Sequence, residues 1–330
     1  MTHLLELGVA DLAGTRFATS PLGETVRAVL LLGNPGRATV NQPWLDWARI
    51  RLDESPLRLA RTWPLVVNGL DWFPEFMIPA PTGRRPDFGE ELACLRAAPD
   101  EAVRASLGRV FEDRLWPDSA KDLFADPAGS LREIAEELEC CYERLVSPHW
   151  ERIQSVLDAD IAYRTGLLAR GGAKALFGDM HPSLHWSAGL LSIGDGTDEV
   201  LRARLGPDGV VLTPSVLNWP HVSSSLSTST QTIVCYPARG AATVWHTLSG
   251  ALPARLPALS ELIGVTRARM LDTLRSPATT SALARQFAVT PGAVSQHLAV
   301  LHRNGLLTKQ RSGRTVLYQT SELGLALLGQ

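Results

Sequence analysis

The chain has 330 residues, 45% of them hydrophobic, a formal net charge of −2 and a mean hydropathy of +0.01. These values exclude a disordered or polyelectrolyte chain and allow two or three domains with cores of their own. No run of 18 apolar residues occurs. Met1-Thr2-His3 offers no basic start and Glu6 and Asp11 break the first apolar stretch, so neither a membrane span nor a secretory signal is expected.

In chain order, Leu4–Val9 and Arg16–Ala18 read as short strands, and Ser20-Pro21 as the cap and first turn of a helix through Leu32. Helical periodicity follows over Trp44–Glu54, Phe88–Ala97, Asp100–Phe111, Ser130–Val146 and His149–Leu168, with Asn34-Pro35-Gly36, Ile78–Gly83 and Gly171-Gly172 as breaks. From about His185 the period shortens. Leu190–Ile193, Glu199–Leu205, Val210–Val216 and Thr232–Tyr236 are expected strands, Gly206-Pro207-Asp208-Gly209 a hairpin turn, and Ser223–Thr230 a polar loop. Pro253 and Pro257 mark a linker. The expected fold is α+β: a mainly helical regulatory and dimerisation part (1–180) with a small antiparallel sheet, a β-rich part packed with it (181–257), and a C-terminal winged helix-turn-helix (258–330).

All nine tryptophans precede residue 258, which suggests either an aromatic core and dimer interface or a pocket for a small-molecule effector. His181 and His185, with Asp179 and His221, have the residue types of a metal site, but Pro182 interrupts the helix their spacing would need, so no metal or other cofactor is expected. Cys94, Cys140, Cys141 and Cys235 show no CxxC spacing and read as reduced thiols, with one of the adjacent pair buried and the other exposed. No GxSxG, P-loop, strand-borne GxGxxG or HExxH occurs, so no catalytic residue and no enzyme activity is expected.

The C-terminal quarter carries the chemistry. Thr279 or Thr280 can cap a short helix with Leu283, Ala284 and Phe287 inward; Ala288-Val289 makes the turn; Thr290-Pro291 opens a second helix. Val294, Leu298 and Leu301 form its packed face, and Gly292, Ser295, Gln296, Ala299 and Arg303 the opposite one, small and polar enough to enter a major groove. Asn304-Gly305 ends this helix. Leu306–Gln310 and Thr315–Gln319 form a wing joined by Arg311-Ser312-Gly313-Arg314 as a tight hairpin; if Ser312-Gly313 is its two-residue turn, Arg311 faces Arg314. Residues 258–330 hold eight Lys and Arg against three acids, a net +5, which leaves −7 on residues 1–257. A basic module on an acidic body fits a chain in which one domain binds nucleic acid.

Thr266–Leu328 resembles the ArsR-type winged-helix repressors of bacteria, through Thr290–Leu301, Asn304-Gly305-Leu306-Leu307 and Ser312-Gly313-Arg314. The resemblance implies a homodimer on a palindromic double-stranded operator, with Ser295, Gln296 and His297 in the groove and the wing arginines on the backbone. Thr290, Pro291, Gly292, Arg303, Lys309, Arg311 and Arg314 complete the expected DNA-binding set. By helical angle His297 lies beside the packed face, where a packing or phosphate role competes with base reading. The chain departs from the family in having Ala288 where glycine is frequent, no cysteine in the module, and a last helix of only Ser321–Leu328, which argues against metal sensing and shrinks the usual dimer surface. Arg16–Leu22, Val211–Ser215 through Trp219-Pro220, and Tyr236–Gly240 resemble an uncharacterised domain that precedes such winged helices in bacterial regulators. The expectation is a cytoplasmic, nucleoid-associated, sequence-specific transcriptional regulator. A ligand-independent architectural or developmental regulator and a winged-helix protein-interaction module are the alternatives.

Overall fold

The computed structural model describes residues 2–37, 40–70, 72–194, 200–204, 209–225, 231–245, 255–275, 278–287, 289–312 and 315–328. It divides into two compact units, Met1–Ala38 with Leu45–Val244 and Thr39–Trp44 with Trp245–Gln330. The architecture is mixed α/β, mainly helical with small sheets. No helix among the described residues is long and apolar enough to cross a membrane.

In the first unit, β1 (Thr2–Glu6), α1 (Val9–Gly14) and β2 (Arg16–Phe17) lead into α2 (Pro21–Gly33). Ser20 Oγ accepts from the Gly23 N–H at 2.8 Å and Pro21 fills the first turn, which starts α2 where the sequence indicated. Every residue from Pro21 to Val29 is buried, because other helices surround α2. These include α4 (Trp63–Val66), α5 (Phe88–Arg96) and α8 (Pro127–Cys141); α3 (Gln42–Glu54), α6 (Asp100–Val110) and α7 (Asp118–Ala125) lie between them in sequence. Helices α1, α4 and α7 escaped the sequence reading, being too short to show a period.

The helix expected over Ser130–Val146 ends as α-helix at Cys141 and continues as a π-turn, Tyr142–Val146, then a 3-10 turn, Ser147–His149. Pro148 lacks an N–H and its ring would strike the carbonyl four residues back, so the α-helical ladder cannot run through it. Helix α9 (Trp150–Gly178) extends ten residues beyond its expected end at Leu168. It kinks at Gly172, whose φ of 62° suits glycine.

Two four-stranded sheets complete this unit. One has the order β3 (Leu184–Ser187), β4 (Leu190–Ile193), β1, β5 (Val200–Arg204); the other β2, β6 (Val210–Ser215), β8 (Thr232–Pro237), β7 (Ser223–Ser225). Pairing is mixed: β1 is antiparallel to β4 and parallel to β5, and β2, β6 and β8 are mutually parallel. Strands β5 and β6 therefore belong to different sheets and do not form the hairpin expected around Gly206–Gly209, of which residues 206–208 lie outside the described ones. Burial decides this. Both faces of the β6–β8 pair are covered, with Leu212, Val234 and Tyr236 in one core and Val211 and Ile233 in another, so these strands are continuously apolar as parallel pairs require. Ser223–Ser225, expected in a loop, is an antiparallel edge strand.

The second unit contains α10 (Arg255–Ile263), α11 (Val265–Thr273), β9 (Ala278–Thr279), α12 (Thr280–Phe287), α13 (Pro291–Arg303), β10 (Leu307–Ser312), β11 (Thr315–Thr320) and α14 (Glu322–Leu327). Its core joins Ala268, Leu271, Leu283, Val294, Leu298, Leu301 and Leu307. Strand β9 pairs with β11, so the sheet has three strands where the sequence suggested two. Gly324 allows α14 to close on it: a Cβ there would lie 2.5 Å from the Leu306 carbonyl oxygen.

Candidate nucleic-acid interface

Helices α12 and α13 begin on threonine caps. Thr279 Oγ1 accepts from the Ala282 N–H at 3.1 Å, and Thr290 Oγ1 from the Ala293 N–H at 3.3 Å, with Pro291 in the first turn. Helix α13 ends in a Schellman arrangement: the Gly305 N–H donates to the His302 carbonyl and the Leu306 N–H to the Leu301 carbonyl, with Gly305 at φ 72°. Both ends being fixed, the rotation of α13 is set by Val294, Leu298 and Leu301, all at most 1% exposed.

The opposite side of α13 presents Gly292, Ser295, Gln296, Ala299 and Arg303, all exposed. Successive residues advance by 100°, so these five fall in one stripe about 16 Å long. Thr290 and Pro291 are exposed at its start and His297 is half-buried beside it. A Cβ added at Gly292 would meet only Thr290 Oγ1, at 4.0 Å, so the fold itself does not need glycine there.

In the wing, Leu307 pairs with Thr320, Lys309 with Tyr318, Arg311 with Val316 and Ser312 with Thr315. Arg311 is therefore not the cross-strand partner of Arg314, contrary to the sequence reading. Lys309 is exposed on β10. Ala288, Gly313, Arg314 and the side chain of Arg311 lie outside the described residues.

The candidates of the first unit are placed as structural groups. Cys140 is exposed and Cys141 buried, and burial pushes the Cys141 thiol up to about 12. His181 holds Ser183 Oγ at 2.7 Å through Nδ1 and the Pro220 carbonyl at 2.8 Å through Nε2, while His185 is exposed on β3, so the two share no helix face. Asp179 accepts from the Tyr163 hydroxyl at 3.1 Å. Among the described residues no group of three or more His, Cys, Asp or Glu could hold a metal ion. The tryptophans are dispersed: Trp186 stacks on Phe177, Trp116 meets Phe111 and Phe124, and Trp150 meets Tyr142. In the second unit Trp44 and Trp245 are buried together, 6.3 Å between ring centroids, and Trp245 Nε1 donates to Asn41 Oδ1 at 2.7 Å.

Two buried charged clusters went unnoticed in the sequence. Glu24, 1% exposed on α2, accepts from the N–H groups of Val216 at 3.2 Å and Leu217 at 3.0 Å, closing the carboxyl end of β6. Glu91 accepts from the Leu22 N–H at 2.8 Å, and burial raises its carboxyl to about 7. Asp160 takes the Tyr236 hydroxyl at 2.8 Å, the Arg239 N–H at 3.0 Å and Arg164 Nε at 3.3 Å. Burial, with the Asp160 charge second, drives the Tyr236 hydroxyl well above its ordinary range. The available signals were a glutamate inside the RFATSPLGE segment and the four-residue spacing of Asp160 and Arg164. These contacts also show what the Arg16–Leu22, Val211–Ser215 and Tyr236–Gly240 segments do: they join the start of α2 to α5 and to the end of β6, and the end of β8 to α9.

Comparison with known families agrees with this division of labour. Residues 266–310 match the helix-turn-helix domain family. Residues 116–242 match a family of unknown function (DUF5937). No curated protein matches the chain. The match across α11 to β10, together with the capped α12–α13 pair, supports a helix-turn-helix transcriptional regulator that binds DNA.

Proposed function

We propose that the chain is a homodimeric repressor of the ArsR type, a cytoplasmic, nucleoid-associated regulator rather than an enzyme, in which residues 258–330 read a palindromic operator. Residues 1–180 and 181–257 serve dimerisation and the response to a small-molecule effector. The observation that carries the reading is the exposed stripe Gly292, Ser295, Gln296, Ala299 and Arg303 on a helix whose other side is core. Its small N-terminal residues let the backbone approach a groove floor, and Ser295 and Gln296 offer hydrogen-bonding groups to base edges. Thr290 and Pro291 set the helix start at the phosphates, Arg303 and Lys309 contact the backbone, and Arg311 and Arg314 extend that contact along the wing. His297 supports from the flank. Two copies of α13 would enter successive major grooves roughly 34 Å apart.

The test is capture of sheared genomic DNA by the purified chain in moderate salt, beside a Ser295→Ala/Gln296→Ala variant. A few palindromic sites enriched by the native chain alone are expected. Equal enrichment by both would remove base reading from α13. For Gln296→Ala alone, discrimination should drop by about 1–3 kcal/mol, whereas Lys309→Ala should weaken all duplexes alike and lower the salt slope by about 1.

A further inference from the structure

A cleft of about 310 Å³ opens in the first unit, between the segment Glu75–Ala80, the end of α5 and one side of α6. Protein interiors pack to near crystal density and leave few voids larger than a water molecule, whereas small-molecule clefts begin at about 300 Å³. The space exists because its walls are small or ring-constrained: Pro79, Ala80, Ala98 and Ala102 stand where larger apolar side chains would fill it. Its polar groups cancel in charge. Arg109 and Glu75 form an ion pair at 2.8 Å, and Gln231, a neutral amide, accepts from Arg16 at 2.9 Å. A charged ligand would have to break the Arg109–Glu75 pair or leave its own charge unbalanced against apolar walls. A neutral one meets neither cost. No tryptophan lines the cleft, so it is not the aromatic pocket that the sequence suggested.

We propose that this cleft binds a neutral, largely apolar small molecule of one or two ring systems. It rests on the regulator reading only for the consequence of binding; the binding itself stands on the cleft.

Cys94 lines the cleft and makes it testable without knowing the natural ligand. Cys94 is half-buried and Cys140 exposed, while Cys141 and Cys235 are buried with thiols raised by burial, so two cysteines should react and one of them reports on the cleft. The probe is N-phenyl-1-naphthylamine, a neutral two-part aromatic that fluoresces on leaving water. The full native chain, without DNA, should bind it saturably at one site per chain. At saturation, alkylation of Cys94 by iodoacetamide should slow at least fivefold while Cys140 reacts at its usual rate. Ala102→Trp should weaken probe binding at least tenfold. Unchanged Cys94 alkylation at probe saturation, or probe binding by Ala102→Trp equal to the native chain, overturns the proposal; should that variant not fold, the Cys94 rate in the native chain decides alone. With no DNA present, failure here leaves recognition by α13 standing, and failed DNA capture leaves the cleft standing.

Discussion

Replacing Glu91 by glutamine should make the first unit more stable relative to the native chain as pH rises, by an amount the structure sets. Glu91 is 2% exposed; Oε2 accepts from the Leu22 N–H and Oε1 is buried without a hydrogen-bond partner among the described residues. Burial dominates, and the Ser20 hydroxyl, the Leu22 N–H and Arg27 only partly offset it, so the carboxyl rises from 4.5 to about 7. A raised folded-state value means that stability is fully present below pH 4.5 and is lost as pH climbs through about 7. The loss is roughly 3 kcal/mol, at about 1.4 kcal/mol per pH unit of difference. The amide of the Glu91→Gln variant cannot ionise and escapes it. About 2.5 kcal/mol of this loss develops between pH 5 and 8, so thermal unfolding followed by tryptophan emission at pH 5, 6, 7 and 8 should show the gap in Tm between variant and native chain widening by roughly 5–10 °C. Groups shared by both chains, His149 among them, cancel in this difference. A gap that stays constant from pH 5 to 8 would mean that Glu91 ionises as freely as a surface carboxyl, and the burial argument fails.

Gly324→Ala would set a Cβ 2.5 Å from the Leu306 carbonyl oxygen and 2.6 Å from Thr320 Cγ2, so melting of the winged helix should report a loss of about 1–3 kcal/mol; an unchanged melt would show that α14 can move aside. Thr290→Ala removes the cap of α13 and should cost about 1 kcal/mol in the same measurement, with DNA affinity falling beyond that only if the hydroxyl also touches phosphate. Asp160→Ala leaves Arg164, 1% exposed, with Asp179 at 3.9 Å and without its Nε partner, and strands the Tyr236 hydroxyl and the Arg239 N–H, so urea unfolding should lose about 3–5 kcal/mol. Asp160→Asn should lose distinctly less, and equal losses would place the cost in packing rather than charge.

What the sequence determined by itself were features governed by neighbours a few residues apart. Thr290-Pro291, Asn304-Gly305 and the Val294/Leu298/Leu301 spacing specify the limits and rotation of α13 locally, because caps and helical period act within a turn or two. Ser20-Pro21 did the same for α2, and the adjacent Cys140 and Cys141 had to face different environments on one helix. Tertiary structure decided whatever depends on distant partners. Strand β5 carries the sequence signs of a hairpin with β6, yet pairs with β1, because both edges of β6 are taken by β2 and β8. Ser223–Ser225 has no strand propensity and is ordered by the edge of β8, and β9 is too short to register until β11 pairs with it. The carboxylates of Glu24, Glu91 and Asp160 read as surface charges until the fold brings N–H groups from as far as 193 residues away to receive them. Burial and pairing are sums over the whole chain, and no window of the sequence contains them.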